Sequence, residues 1–135
     1  MHSQVGNTSP VYCTGIGKAM LAKLDHKLCQ EKAERIRYHR HTKNTLYTSE
    51  MLIADIEQIR LTGISHDREE HETGICCVAA GIISPDNEAV YGVSVTAPTF
   101  RLSIQETERW QMLVKQAAEA IESNLAARLG PRSSQ

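Results

Sequence analysis

Four groups of residues in this chain have the types and spacing to do chemistry. The first is Thr14-Gly15-Ile16-Gly17-Lys18, a helix start carrying two glycines. Backbone N–H groups at a helix start lack intrahelical partners, and glycine leaves them uncrowded, so a small anion such as a carboxylate fits there. The same glycines also suit close packing of the helix against a neighbour, and both readings stay open. The spacing to Lys18 is wrong for a P-loop, and no Ser or Thr follows it. The second group is Asp67-Arg68-Glu69-Glu70-His71-Glu72, an acidic run set directly against the apolar run Gly74-Ile75-Cys76-Cys77-Val78-Ala79-Ala80. Charges abut a core strand where its end borders water or a ligand cavity. Most of these charges read as a solvated edge, with Asp67 as the one inward carboxylate. A metal held by His71 with Asp67 and Glu69 needs converging ligands, and Gly74 breaks the strand regularity that would align them, so no metal is expected.

The third group is Ser94 and Thr96, which share a strand face with Gly92. A polar strand face is either solvated or the wall of a ligand cup. The fourth is the thiols Cys13, Cys29, Cys76 and Cys77. Adjacent Cys76 and Cys77 cannot staple distant segments to each other by bonding internally, and no signal peptide precedes the four, so they read as reduced cytosolic thiols. Cys77 is a small buried residue or a pocket liner. Ser65-His66-Asp67 are neighbours in sequence, which carries little weight because triads are spatial. His39-Arg40-His41 reads as a polar loop. Catalysis has no positive support, and an enzyme or redox protein using Cys76 or Cys77 is the competing class.

These residues must be positioned by a single domain, since 135 residues suffice for one core and not two. Aromatics make up 4% of the chain, too few for a base-stacking surface, and a net charge of -1 leaves no phosphate-binding footprint. No apolar run approaches the roughly 20 residues that span a bilayer, and a cytoplasmic protein with no membrane association is expected. Thr14 is a plausible N-cap, with Met20, Leu21 and Leu24 on one helical face. Asp25 caps a second helix through about Ile36, and residues 37–47 read as a loop. Thr48 or Ser49 starts a third helix, with Leu52, Ile53, Ile56 and Ile59 as its stripe and Gly63 as its stop. Residues 64–67 look extended. Residues 75–83 and 89–97 pair through a turn over 84–88, the first strand being apolar on both faces. Ser103-Ile104-Gln105-Glu106 is a capping box opening a long helix, and Gly130-Pro131 ends it before a frayed tail. Runs of one element type followed by another indicate an α+β domain. Three strands are few for a sheet bearing several helices.

Taken together, these stretches resemble the effector-binding domain of IclR-type bacterial transcriptional regulators. The resemblance runs from Met1 to about residue 130. It is carried by Val5-Gly6, by Pro10-Val11-Tyr12-Cys13-Thr14-Gly15-Ile16-Gly17-Lys18-Ala19-Met20-Leu21-Ala22, by Ile59-Arg60 and Gly63, and by the 67–80 stretch above. Val93-Ser94-Val95-Thr96-Ala97-Pro98 and Ala117-Ala118 complete it. It implies a fold similar to GAF and PAS sensors: a curved antiparallel sheet, flanked by helices, around a small-molecule cup. It further implies a backbone anion hole at Gly15 and Ile16, side-chain contacts from Asp67, Cys77, Ser94 and Thr96, and walls from Met1, Ser9 and Ile75. The implied partners are a small organic acid effector and further copies of the chain, as a homodimer or homotetramer, with no cofactor. The sequence departs from the family pattern at Ser9, at Cys76 (frequently Arg), at Gly81 (commonly Pro) and at Thr96-Ala97-Pro98 (often Ser-Gly-Pro). These departures bear on which ligand fits rather than on the fold. The family's winged helix-turn-helix, linker helix and first effector-domain strands have no counterpart here. The expectation is therefore an effector domain over 1–130, truncated at its N-terminus, that contacts DNA only through the missing domain. An oligomerisation module with a vestigial cup is a further alternative.

Overall fold

In the computed structural model, residues 10–129 are described. Helix α1 (Gly15–Leu21), α2 (His26–Arg35) and α3 (Ser49–Thr62) precede strands β1 (Ser65–Arg68), β2 (Ile75–Ile83) and β3 (Val90–Pro98), and α4 (Ile104–Leu129) ends the described chain. Local chemistry sets the boundaries. Side chains of Thr14, Asp25 and Thr48 accept hydrogen bonds from the backbone N–H groups of Gly17, Leu28 and Met51, and Ser103 accepts from Glu106 at 3.1 Å. Each satisfies a donor that the first turn leaves without a partner. Gly63 stops α3 in the left-handed region at φ 79°, where a Cβ would be strained. β3 begins and ends one residue later than the alternation indicates. Pro98 serves as its last residue, and the Thr99 N–H carries the pairing on to the Gly74 carbonyl at 2.7 Å.

The sheet runs β1-β2-β3, antiparallel throughout. Residues opposite one another in such a ladder share a face, so the register sorts every side chain. Asp67, Cys77 and Thr96 form one cross-strand row, and Ser65, Ala79 and Ser94 form the next. The other face carries His66, Val78 and Val95, then Ala80 with Val93. Both faces of β2 are covered, as its continuous apolar pattern predicts. Val78, Ala80 and Ile82 pack on Val114 and Ala118 of α4. Cys77 and Ala79 pack on Ile16 and Ala19 of α1. Glycines let α1 approach this closely: a Cβ at Gly81 would lie 2.5 Å from the Ala19 carbonyl oxygen, and one at Gly92 would lie 2.5 Å from Ile16 Cγ1. A third cluster joins Tyr12, Cys13 and Leu21 to Cys29, Ala33, Leu52 and Ile56. Leu52 and Ile56 are fully buried, each worth about 1.5–3 kcal/mol of transfer free energy.

Candidate functional site

Helix α1 packs on one face of the sheet. Ile16 lies over Gly92, while Gly15 sits against Cys77, where a Cβ would come within 2.8 Å of Sγ. Gly17 needs to be glycine for packing, since its Cβ would meet Val11 Cα at 2.5 Å. Thr96 is half-buried and Ser94 is exposed, both on the α1 side of the sheet. The structure thus brings Gly15, Ile16, Asp67, Cys77, Ser94 and Thr96 to one region. Ile75 shares that face and is half-buried. Met1 and Ser9 lie outside the described residues. Cys77 is a floor rather than a free contact: it is buried and roofed by Gly15. Three clefts of about 540, 500 and 490 Å³ lie among the described residues. None of the three is lined by Gly15, Asp67, Cys77 or Ser94; the last touches Thr96 beside Arg101, Glu106 and Trp110.

The acidic run departs from its reading as a solvated edge with one inward carboxylate. Glu70 is buried as well as Asp67. The chain turns left-handed at Glu69, φ 57°, which swings Glu70 inward. Asp67 Oδ1 accepts the Glu70 N–H at 2.7 Å, and Glu70 Oε2 accepts the Arg68 N–H at 3.2 Å. Burial raises both carboxyl pKa values, opposed for Asp67 by the Glu70 N–H and for Glu70 by Lys18. Lys18, whose side chain is fully buried, is the counter-charge. Its Nζ donates to Asp55 Oδ2 at 2.7 Å, to the His66 carbonyl at 2.6 Å and to Glu70 Oε1 at 2.8 Å. All three ammonium donors are used. Nothing local marks Lys18 for this role, because its partners lie 37, 48 and 52 residues away.

The 37–47 segment carries no helix or strand, as expected, yet it is more than a polar loop. The hydroxyls of Thr42 and Thr45 donate to the carbonyls of Glu69 and Glu70 at 2.6 Å each, and Asn44 Nδ2 donates to the Arg68 carbonyl at 2.9 Å. The loop is thereby fastened to the β1–β2 turn. That fastening sets the His41 ring edge-to-face with His71, centroids 5.0 Å apart. Of the two thiols in the competing cysteine-chemistry reading, Cys77 is buried and does not favour it, while Cys76 is half-buried. Burial pushes Cys77 and Cys29 up, and takes Cys13 to about 12, where it remains a thiol at neutral pH. No helix among the described residues is long and apolar enough to cross a membrane.

Comparison with known proteins places this architecture. Residues 1–123 match the family model described as bacterial transcriptional regulator IclR, C-terminal. The chain is similar to the HTH-type transcriptional regulator KdgR of Escherichia coli, 30% identical over 125 residues, covering 93% of this chain and 48% of that protein. It therefore spans about half the length of this relative. The crystal structure of the C-terminal domain of E. coli KdgR superposes with a TM-score of 0.82 at 30% identity, covering 89% of this chain and 73% of that one. Thermotoga maritima IclR gives a TM-score of 0.87 at 30% identity, covering 93% and 51%. The fold is accordingly the GAF-like α+β arrangement of these C-terminal domains, and the relatives are transcriptional regulators. The chain belongs to the IclR family of bacterial transcriptional regulators, and it corresponds to their C-terminal effector-binding domain.

Proposed function

We propose that this domain senses a small organic acid, a sugar acid or 2-oxo acid, for a cytoplasmic transcriptional regulator. The observation that carries the reading is the cross-strand row Asp67–Cys77–Thr96, with Ser94 in the adjacent row and the start of α1 set against it. In this reading the carboxylate lies beside Gly15 and takes the Gly15 and Ile16 amides, which as the first helical residues have no intrahelical acceptor. Hydroxyl or keto groups meet Asp67, Ser94 and Thr96. Ile75 supplies apolar wall, with Met1 and Ser9 assigned the same role by family resemblance. Cys77 backs the site without touching the effector. Burial raises the Asp67 carboxyl pKa, which lessens its opposition to a neighbouring anion. Each hydrogen bond to a charged ligand group contributes roughly 1.5–3 kcal/mol, so the side chains set most of the selectivity. In the complete regulator, assembled as a dimer or tetramer, an effector that binds one of two conformations better shifts the affinity of the DNA-binding domain by the same linkage.

Titration calorimetry with a panel of small carboxylates on the folded chain tests this. At least one acid should bind saturably, and Thr96→Val should weaken it by about 10-fold or more, the loss of one such bond. A folded sample that binds none of the panel, or binds it equally well after Thr96→Val and Ser94→Val together, refutes the assignment.

A further inference from the structure

Three side chains that the effector reading does not use converge beside the buried end of α1. Cys13 Sγ and ring nitrogens of His41 and His71 all lie within 4.8 Å of one another. Each comes from a different segment, and each segment is held. Cys13 immediately precedes the α1 N-cap and is fully buried. The His41 N–H donates to Thr45 Oγ1 at 3.0 Å, in the loop whose threonines anchor to the Glu69 and Glu70 carbonyls. His71 follows Glu70 directly, so the same bonds fix both histidines.

From this geometry we propose that Cys13, His41 and His71 form a binding site for a divalent transition-metal ion of the zinc type. One thiolate and two imidazoles are the donor set that zinc prefers, with a fourth position left for water or an acidic oxygen. Metal–ligand bonds of about 2.0–2.3 Å put tetrahedral donors roughly 3.4–3.6 Å apart. Side-chain rotations that close the cluster by about 1 Å reach that spacing. A supporting bond favours one tautomer. The Tyr12 hydroxyl donates its one proton to the His39 carbonyl at 3.0 Å, while its oxygen accepts the His39 N–H at 2.9 Å. With that proton on the carbonyl, its contact with His41 Nε2 at 3.0 Å has histidine as donor. In that tautomer neutral His41 carries its proton on Nε2 and leaves the Nδ1 lone pair for a metal, an outer hydrogen bond of the kind that orients metal-bound histidines. On binding, the Cys13 S–H bond breaks, the sulfur–metal bond forms, and the proton passes to solvent. Strand alternation groups His71 with Asp67 and Glu69 only in a regular strand, and no metal is expected from the sequence. The fold instead turns His71 toward Cys13 and His41.

The test is independent of any effector. Chain stripped with chelator is titrated with Co²⁺ alone. The expected result is one equivalent bound per chain, with a thiolate-to-cobalt charge-transfer band and tetrahedral d–d bands, both removed by Zn²⁺. Cys13→Ser should abolish the charge-transfer band. His71→Gln should weaken Co²⁺ by at least about 100-fold, and Tyr12→Phe by about 10–100-fold, the usual loss for a supporting contact. Cys76→Ser should change neither. Circular dichroism checks that each variant folds, and if Cys13→Ser does not, the His71→Gln and Tyr12→Phe titrations decide. A chain that gives no thiolate band, a band that survives Cys13→Ser, or affinity unchanged by His71→Gln overturns the assignment.

Discussion

Replacing Lys18 by Met should remove a large fraction of the domain's stability. Methionine keeps most of the aliphatic volume, so the change isolates the ammonium group. That group makes three hydrogen bonds of 2.6–2.8 Å from a fully buried side chain. Without it, the Glu70 carboxylate, whose side chain is 7% exposed, and the Asp55 carboxylate, 26% exposed, face each other's field with no counter-charge. Removing one member of a buried ion pair typically costs about 3–5 kcal/mol, because the remaining charge is stranded. Natural domains of this length are stable by only roughly 7–20 kcal/mol. Urea unfolding followed by Trp110 fluorescence and circular dichroism measures the loss directly, as a lower midpoint at unchanged slope. The Lys18→Met, Glu70→Gln pair should recover part of it, since a neutral amide is cheaper to bury than a lone carboxylate. A loss below about 1 kcal/mol for Lys18→Met, or no recovery in the pair, would show that water replaces the ammonium and that the network is not a buried one.

Three further outcomes follow from the packing and the titrating groups. Gly17→Ala puts a methyl 2.5 Å from Val11 Cα and 2.6 Å from Val11 O; backbone cannot yield as a side chain does, so thermal unfolding should report a loss of about 1–3 kcal/mol or more. His66, held down to about 4 chiefly by burial, is neutral in the folded chain and protonates near 6.5 when unfolded. Stability should therefore fall as pH drops from about 6.5 to about 4. The full shift corresponds to about 3 kcal/mol, and solvent access to the half-buried ring reduces that to about 1–2 kcal/mol; His66→Gln should flatten this part of the pH–stability curve. Thiol labelling of the native chain should give one fast equivalent at the half-buried Cys76 and three slow ones, at Cys13, Cys29 and Cys77, that react only on unfolding. Fast labelling of Cys77 would revive the cysteine-chemistry alternative.

What the sequence discloses and what it conceals divide along a physical line. Thr14, Asp25, Thr48 and Ser103 act on N–H groups three residues away, so the helix starts are legible from neighbours alone. Residues 75–83 read as a strand covered on both sides because an apolar run of that length has few other uses, and the observed limits agree. Strand alternation together with family resemblance puts Asp67, Cys77, Ser94 and Thr96 on a common wall, and in the ladder register they share one sheet face. Lys18 and Glu70 escaped this reasoning. A lysine after a helix start and a glutamate in a run of acids both look solvated until the fold brings them within 2.8 Å. His41 is exposed, as its neighbours His39 and Arg40 suggest, and only the Thr42 and Thr45 anchors set it beside His71.

The Lys18 ammonium has a mechanical consequence. It ties α1, through Asp55 and Glu70, to the middle of α3 and to the bend after β1. Charged contacts this short resist stretching far more than apolar side chains resist sliding. A guest that nudges the amino end of α1 therefore cannot shift that helix alone; α3 and the bend must travel with it or the rivet must shear. Motion started at Gly15 would thus leave the domain through the α3 surface, more than 30 residues along the chain from where it began.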